Sequence, residues 1–205
     1  MRAFTTLTGV AAVIPGKNID TDQIIPARFL KLARGQGLDK ALFHDLRFTE
    51  NGQKKEFVLN QPPFDRAEIL IVDQNFGCGS SREAAVYALD EFGIRVIIGP
   101  EFGDIFHNNC LKNGILPIVL SEKQCDELTQ MLSKHTEPLI TVSLKEQLVC
   151  SELMEKPLSF QIDAFWKTCL LKGIDDLTLT LSMMDQIEKF ERDYGEQFPW
   201  QKITQ

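Results

Sequence analysis

Four consecutive apolar residues, Ile69-Leu70-Ile71-Val72, run straight into the stretch Asp73-Gln74-Asn75-Phe76-Gly77-Cys78-Gly79-Ser80-Ser81-Arg82-Glu83, and this junction restricts the fold more than any other part of the chain. A short, unbroken apolar run rich in β-branched side chains fits a strand buried on both faces, the environment found inside a parallel sheet. Past the glycines, Ala85, Ala88, Leu89 and Phe92 recur at helical spacing, and Gly93 marks a C-terminal stop. The junction is therefore predicted to be a strand-to-helix turn. Gly77 and Gly79 let the backbone pass close to a ligand, and the first N–H groups of the helix converge on the same point, which favours an anion.

The pattern continues from residue 67 to residue 120 as strand, helix, strand, helix, strand, with later strands at 95–98 and 115–120 and Gly114 ending the second helix. That alternation predicts an α/β fold with a partly parallel sheet and crossover helices, whose ligands bind beyond the carboxyl ends of the strands. Elsewhere the expectations are local. Residues 4–14 alternate weakly around Gly9 and read as two short strands and a turn, and 18–22 as a polar loop in which Asp20 and Asp22 suit turns and caps. Short helices are expected at 26–32 and 38–46, and Asn51-Gly52 signals a hairpin between 46–49 and 56–59. Ser121 with Gln124 forms a capping-box pattern, 139–144, 147–150 and 158–162 read as strands, and Asp163 caps a helix that Gly173 stops. A last helix at about 182–194 carries Met183, Ile187, Phe190 and Tyr194 on one stripe, a packing face. Residues 1–195 are expected to form a single domain and 196–205 a loose tail from which Phe198 and Trp200 can dock on a partner.

Two readings meet at the serines. Ser80 can be an N-cap with Glu83 completing a capping box. Alternatively, Ser80, Ser81 and the fork of Arg82 can combine with the loop amides, Gly79 among them, to hold a small carboxylate substrate. A serine in that place can act as base or nucleophile, but no histidine adjoins it in sequence to take its proton. The five cysteines are widely spaced and the three histidines scattered, which matches neither a disulfide framework nor a zinc site. Cys110, Cys125 and Cys169 read as small buried hydrophobes, whereas Cys78 sits inside the glycine loop.

Three separated segments carry a family resemblance: Asn18-Ile19-Asp20-Thr21-Asp22-Gln23-Ile24-Ile25-Pro26, Gly77-Cys78-Gly79-Ser80-Ser81-Arg82-Glu83, and Ile105-Phe106-His107-Asn108-Asn109-Cys110. Together with Cys169-Leu170-Leu171-Lys172-Gly173-Ile174-Asp175-Asp176, they resemble the family of 3-isopropylmalate dehydratase small subunits, over about residues 13–190. That family is similar to the swivelling domain of aconitase, so the resemblance implies a swivelling β/β/α domain. It aligns Ser80 with the family's base serine and gives Arg82 a substrate carboxylate to hold, with Ser81 in support and Asp22 at the rim of the site. It also makes the segment after Pro26 the one that tells substrate tails apart, where Arg28 is the side chain best able to touch a carboxylate. The family usually has His after the Glu of the glycine motif, and here that position is Ala84, so one supporting contact is not carried over.

A dehydratase must remove a proton beside a carboxylate and expel hydroxide from the next carbon, and the second task commonly needs a metal. No clustered cysteines are present to hold an iron–sulfur cluster. The chain is therefore expected to bind no cofactor itself and to act in a heterodimer or heterotetramer with a large subunit that the resemblance equips with a [4Fe–4S] cluster. The substrate would be a small dicarboxylate, interconverted as 2- and 3-isopropylmalate in leucine biosynthesis. Alternatives are a citramalate or homoaconitate hydro-lyase subunit, a stand-alone hydrolase using Cys78 or Ser80, and a non-catalytic anion-binding module. A formal net charge of −7 without a basic cluster argues against nucleic acid. No apolar run reaches bilayer length and no cleavable leader is recognised, so a cytoplasmic setting is expected.

Overall fold

One nine-residue strand, β1 (Thr6–Ile14), joins two differently built halves of a sheet in the computed structural model, which describes residues 1–201. Its first half, Thr6 to Val10, pairs antiparallel with β5 (Leu139–Ser143), and its second half, Ala11 to Ile14, pairs parallel with β2 (Ile69–Val72). The segment 4–14 thus holds a single strand, from Thr6 on, and not two strands around a turn; Gly9 lies inside it, and the change of partner beside Gly9 accounts for the weak alternation. The full order is β4-β3-β2-β1-β5-β6-β7, with β3 (Val96–Gly99), β4 (Leu116–Val119), β6 (Leu148–Cys150) and β7 (Leu158–Ser159). Strands β1 to β4 are mutually parallel and β5 to β7 run as an antiparallel ribbon, so the sheet is partly parallel.

Short helices α1 (Thr21–Ile24), α2 (Leu38–Ala41) and α3 (His44–Arg47) lie between β1 and β2. The helix expected at 38–46 is therefore broken in two, with Phe43 in the left-handed region between the halves, and the one expected at 26–32 shrinks to a 3₁₀ turn at Ala27–Phe29. Asn51-Gly52 does reverse the chain, through a single bridge from Phe48 to Lys54, but 3₁₀ geometry at Val58–Asn60 replaces the second strand. Crossovers α4 (Glu83–Phe92) and α5 (Asp104–Asn113) link β2 to β3 and β3 to β4, and each ends on a left-handed glycine, Gly93 and Gly114. Helix α6 (Glu122–Leu132) starts at the Ser121–Gln124 capping box, and α7 (Ala164–Lys172) is capped by Asp163 and stopped at Gly173. Two further helices, α8 (Asp176–Leu181) and α9 (Met184–Gln197), precede a 3₁₀ turn at Pro199–Gln201. Helix α9 therefore runs into the tail expected from residue 196, whose residues 202–205 lie outside the described residues.

Strand β2 shows why the run at 69–72 is apolar throughout. Leu70 and Val72 enter one core cluster with α4, while Ile69 and Ile71 enter a second cluster on the opposite face with Leu128 and Leu132 of α6 and Leu170 of α7. Cys110, Cys125 and Cys169 are all buried, as small hydrophobes. Burial pushes the Cys110 thiol well up and Cys125 to about 11. One polar pair sits under the loops after β1: Arg47 Nε donates to Asn60 Oδ1 at 3.1 Å, and Asn60 Nδ2 donates to the carbonyls of Arg47 and Lys55. Both residues are buried, so each partner is needed by the other. Among the described residues no helix is long and apolar enough to cross a membrane.

Replacing Asn60 by Ala leaves Arg47 Nε without its acceptor in a buried place and takes one hydrogen bond from each of the Arg47 and Lys55 carbonyls, the first of which keeps the Lys55 N–H. It is expected to lower unfolding free energy by about 2 kcal/mol, read as a lower urea midpoint at unchanged slope.

Candidate functional site

The loop that follows β2 is held on both sides by backbone, as if the sheet continued past its strands. On one side Gly77 N–H donates to Ile19 O at 2.7 Å and Thr21 N–H to Cys78 O at 3.0 Å. On the other, Phe76 N–H donates to Glu101 O at 3.2 Å and Gly103 N–H to Phe76 O at 2.9 Å. The loop can fit between these neighbours only because two residues lack side chains. A Cβ on Gly77, whose φ is +72°, would stand 2.2 Å from the Phe106 ring, and one on Gly103 would stand 2.6 Å from Gly77 O. The three segments brought together lie at the carboxyl ends of β1, β2 and β3, where the alternation of strands and helices places a ligand.

A cleft of about 350 Å³ opens at this point, lined by Gly77 through Arg82 on one side and by Glu101 through Phe106 with Asn109 on the other. Thr21, which is buried, forms part of the floor and donates its hydroxyl to Ser80 O at 2.8 Å, fixing the peptide that carries the serine. Ser80 is not an N-cap. Helix α4 begins at Glu83 with Arg82 as its N-cap, and no side chain caps it. Glu83 instead accepts from Asn113 Nδ2 at 2.9 Å. Among the described residues, no hydrogen bond falls on the Ser80 or Ser81 hydroxyl, and both residues are exposed at the cleft. The N-terminus of α5, at Gly103 and Asp104, borders the same cleft and is likewise uncapped. Helices α1, α6, α7 and α8, by contrast, all have side-chain caps. Two helix ends without side-chain caps therefore meet at one opening beside Arg82, and their amides can receive an anion there, while Glu101 and Asp104 add negative charge to the opposite wall.

Arg82 lines the cleft with its side chain 15% exposed, and it is paired with Asp22. Asp22 does not itself line the cleft; it reaches across from α1 and holds the guanidinium at the rim. Asp20 caps α1 in a box with Gln23. Gly79 and Ser81 sit in the cleft wall beside Ser80. Arg28 lies elsewhere: it grips Asp45 through both terminal nitrogens, touches His44 Nδ1 at 3.0 Å, and faces a separate cleft with Phe48 and Lys55. The Arg28 hydrogen bond holds the Asp45 carboxyl down at about 2. Ala84 packs against the core cluster that contains α4.

Among the described residues no histidine lines the cleft. His107 is half-buried, its ring 6.0 Å from Phe102, and burial lowers its pKa, favouring the neutral ring. No group of three or more His, Cys, Asp or Glu among the described residues is placed to hold a metal ion, so the residues present do not fit an iron–sulfur cluster. The motif reading missed Thr21, whose hydroxyl looks like turn chemistry until the β1 and β2 loops are side by side, and Gly103, whose signal was a glycine at the start of a helix. Asn109, in the third segment that carries the resemblance, also lines the cleft.

Residues 1–123 match the model of the aconitase C-terminal domain family. The chain is similar to a 3-isopropylmalate dehydratase small subunit of Paramagnetospirillum magneticum, 48% identical over 201 residues that cover 98% of this chain and 100% of the relative. It is 47% identical over 205 residues to a protein of the same description from Rhodospirillum rubrum, covering 100% of this chain and 99% of that one. Its fold is similar to a crystal structure of 3-isopropylmalate dehydratase from Methanocaldococcus jannaschii, with a TM-score of 0.66 and 24% identity over 90% of this chain and 99% of that chain.

The contact between Gly77 and Phe106 gives a direct test of the site's construction. Gly77→Ala is expected to cost about 3 kcal/mol through the clash and the strained φ, measured by chemical denaturation. A variant as stable as the parent would mean that the loop does not lie against α5 in this way.

Proposed function

The chain belongs to the aconitase C-terminal domain family and, within it, to the 3-isopropylmalate dehydratase small subunits, and from that membership we propose that it works with a large subunit to interconvert 2- and 3-isopropylmalate by dehydration and rehydration. The observation that carries this reading is the convergence of the Ser80 loop, Arg82 and two uncapped helix ends on one cleft. A dicarboxylate needs two seats of positive potential. The guanidinium offers a two-point grip on one carboxylate, and the helix amides suit the other.

In this proposal Ser80 Oγ, as the alkoxide, takes the proton from the carbon next to a carboxylate. Hydroxide leaves the neighbouring carbon to give the alkene, and water adds back in the opposite sense. The amides of the glycine loop and the α4 terminus stabilise the alkoxide. Thr21 keeps the Ser80 peptide in place, and Asp22 keeps Arg82 at the rim. The [4Fe–4S] cluster belongs to the large subunit, and this chain contributes proton handling and the carboxylate grip. A stand-alone hydrolase is disfavoured because a serine or cysteine nucleophile needs a base and no histidine among the described residues lines the cleft. The reaction places the pair in leucine biosynthesis.

The test is reconstitution: this chain and a large subunit, combined without oxygen, should isomerise isopropylmalate, and neither alone should do so. Turnover by the isolated chain would refute the reading. In the reconstituted enzyme Ser80→Ala is expected to lower kcat by on the order of a hundredfold or more with assembly intact. Arg82→Lys, which keeps the charge but loses the fork, is expected to raise KM by about tenfold or more; parent-like kinetics in either variant would remove the assigned role.

A further inference from the structure

The stripe on α9 was expected to pack, and in the structure it packs on nothing that buries it. Neither α8 nor α9 contains a buried residue. Leu177 is 68% exposed, Leu181 57% and Phe190 64%, and Trp200 beyond the helix is 74% exposed. Rings run along this side in a continuous row: Phe190 to Tyr194 at 5.5 Å, Tyr194 to Phe198 at 4.8 Å, and Phe198 to Trp200 at 5.4 Å. The segment is tied to the body at its start, where Lys112 of α5 meets Asp176 at 3.3 Å. A helix of 14 residues is marginal on its own in water. An aromatic and aliphatic strip of this kind on such a helix is a surface that has a partner in the working assembly.

The charges beside the strip indicate which partner. At helical spacing Glu191 flanks it on one side and Asp193 on the other, while Glu188, Lys189 and Arg192 lie farther round the helix. Two copies packed strip to strip would set acid against acid along both margins, an arrangement that opposes pairing. A different protein with an apolar groove rimmed by Lys and Arg satisfies both the strip and its margins. The relatives similar to this chain match over 98–100% of it, so the segment is common to proteins described as small subunits.

We infer that α8 and α9 form a docking arm whose apolar strip seats in a basic-rimmed groove of the large subunit; this rests on the family reading given above. The arm supplies affinity at a distance from the chemistry, and the Ser80 cleft is left to the substrate.

The test uses the full chain and the 3-isopropylmalate dehydratase large subunit of the same organism, with binding measured by calorimetry and activity titrated against small-subunit concentration. The double variant Leu181→Asp, Phe190→Asp should raise Kd at least tenfold while kcat at saturation and the melting temperature of the isolated chain stay at parent values. The reversal Glu191→Lys, Asp193→Lys should also weaken binding, with the difference shrinking as salt rises, and Phe190→Leu should bind like the parent. Parent-like affinity in the double variant would overturn the arm while leaving the family reading intact. So would a parent dimer in light scattering that the variant abolishes, or a large drop in the isolated chain's melting temperature. If the parent chain itself neither binds nor activates the large subunit, the family reading fails and the arm falls with it.

Discussion

The four backbone hydrogen bonds that hold residues 76–78 between residues 19–21 and 101–103 are the constraint on which the site depends. They extend the parallel pairing of β1, β2 and β3 past the ends of the strands, so the serine loop takes its position from the sheet and not from its own side chains. Such bonds are made only if the backbones approach closely, and that explains glycine at 77 and 103 without appeal to flexibility. It also explains why the site combines segments about twenty-five to sixty residues apart in sequence: strand order brings the three loops side by side.

Much of this was legible in the chain. The apolar run at 69–72, the helical spacing after it and the stop at Gly93 located β2, the turn and α4 correctly, and the alternation up to residue 120 gave the parallel half of the sheet. What the pattern could not supply was tertiary competition. Ser80 and Glu83 have the spacing of a capping box, but the loop is pinned two residues upstream and Thr21 holds the Ser80 carbonyl, so the helix starts later and the hydroxyl stays at the cleft. Arg28 had the right chemistry for a carboxylate and found one in Asp45, which no local pattern around Arg28 announces. The stripe on α9 has the periodicity of a core face, and periodicity shows that a face will be covered without showing by which molecule.

The electrostatics of the cleft depend on a modest interaction. Asp22 is 55% exposed although Arg82 is not, and ion pairs with one solvated member contribute about 1 kcal/mol or less. Asp22 therefore orients the guanidinium without occupying it irreversibly, and an incoming carboxylate has to outcompete only a weak partner. The two helix ends carry no side-chain caps that an incoming carboxylate would have to displace.

Because β1 changes partner between Val10 and Ala11, its two halves answer to different neighbours. Insertions, deletions or slippage in the ribbon β5–β7 would be absorbed by the first half and would not shift the alignment of Ala11 to Ile14 with β2. The change of partner thereby insulates the serine loop from rearrangement at the opposite edge of the sheet.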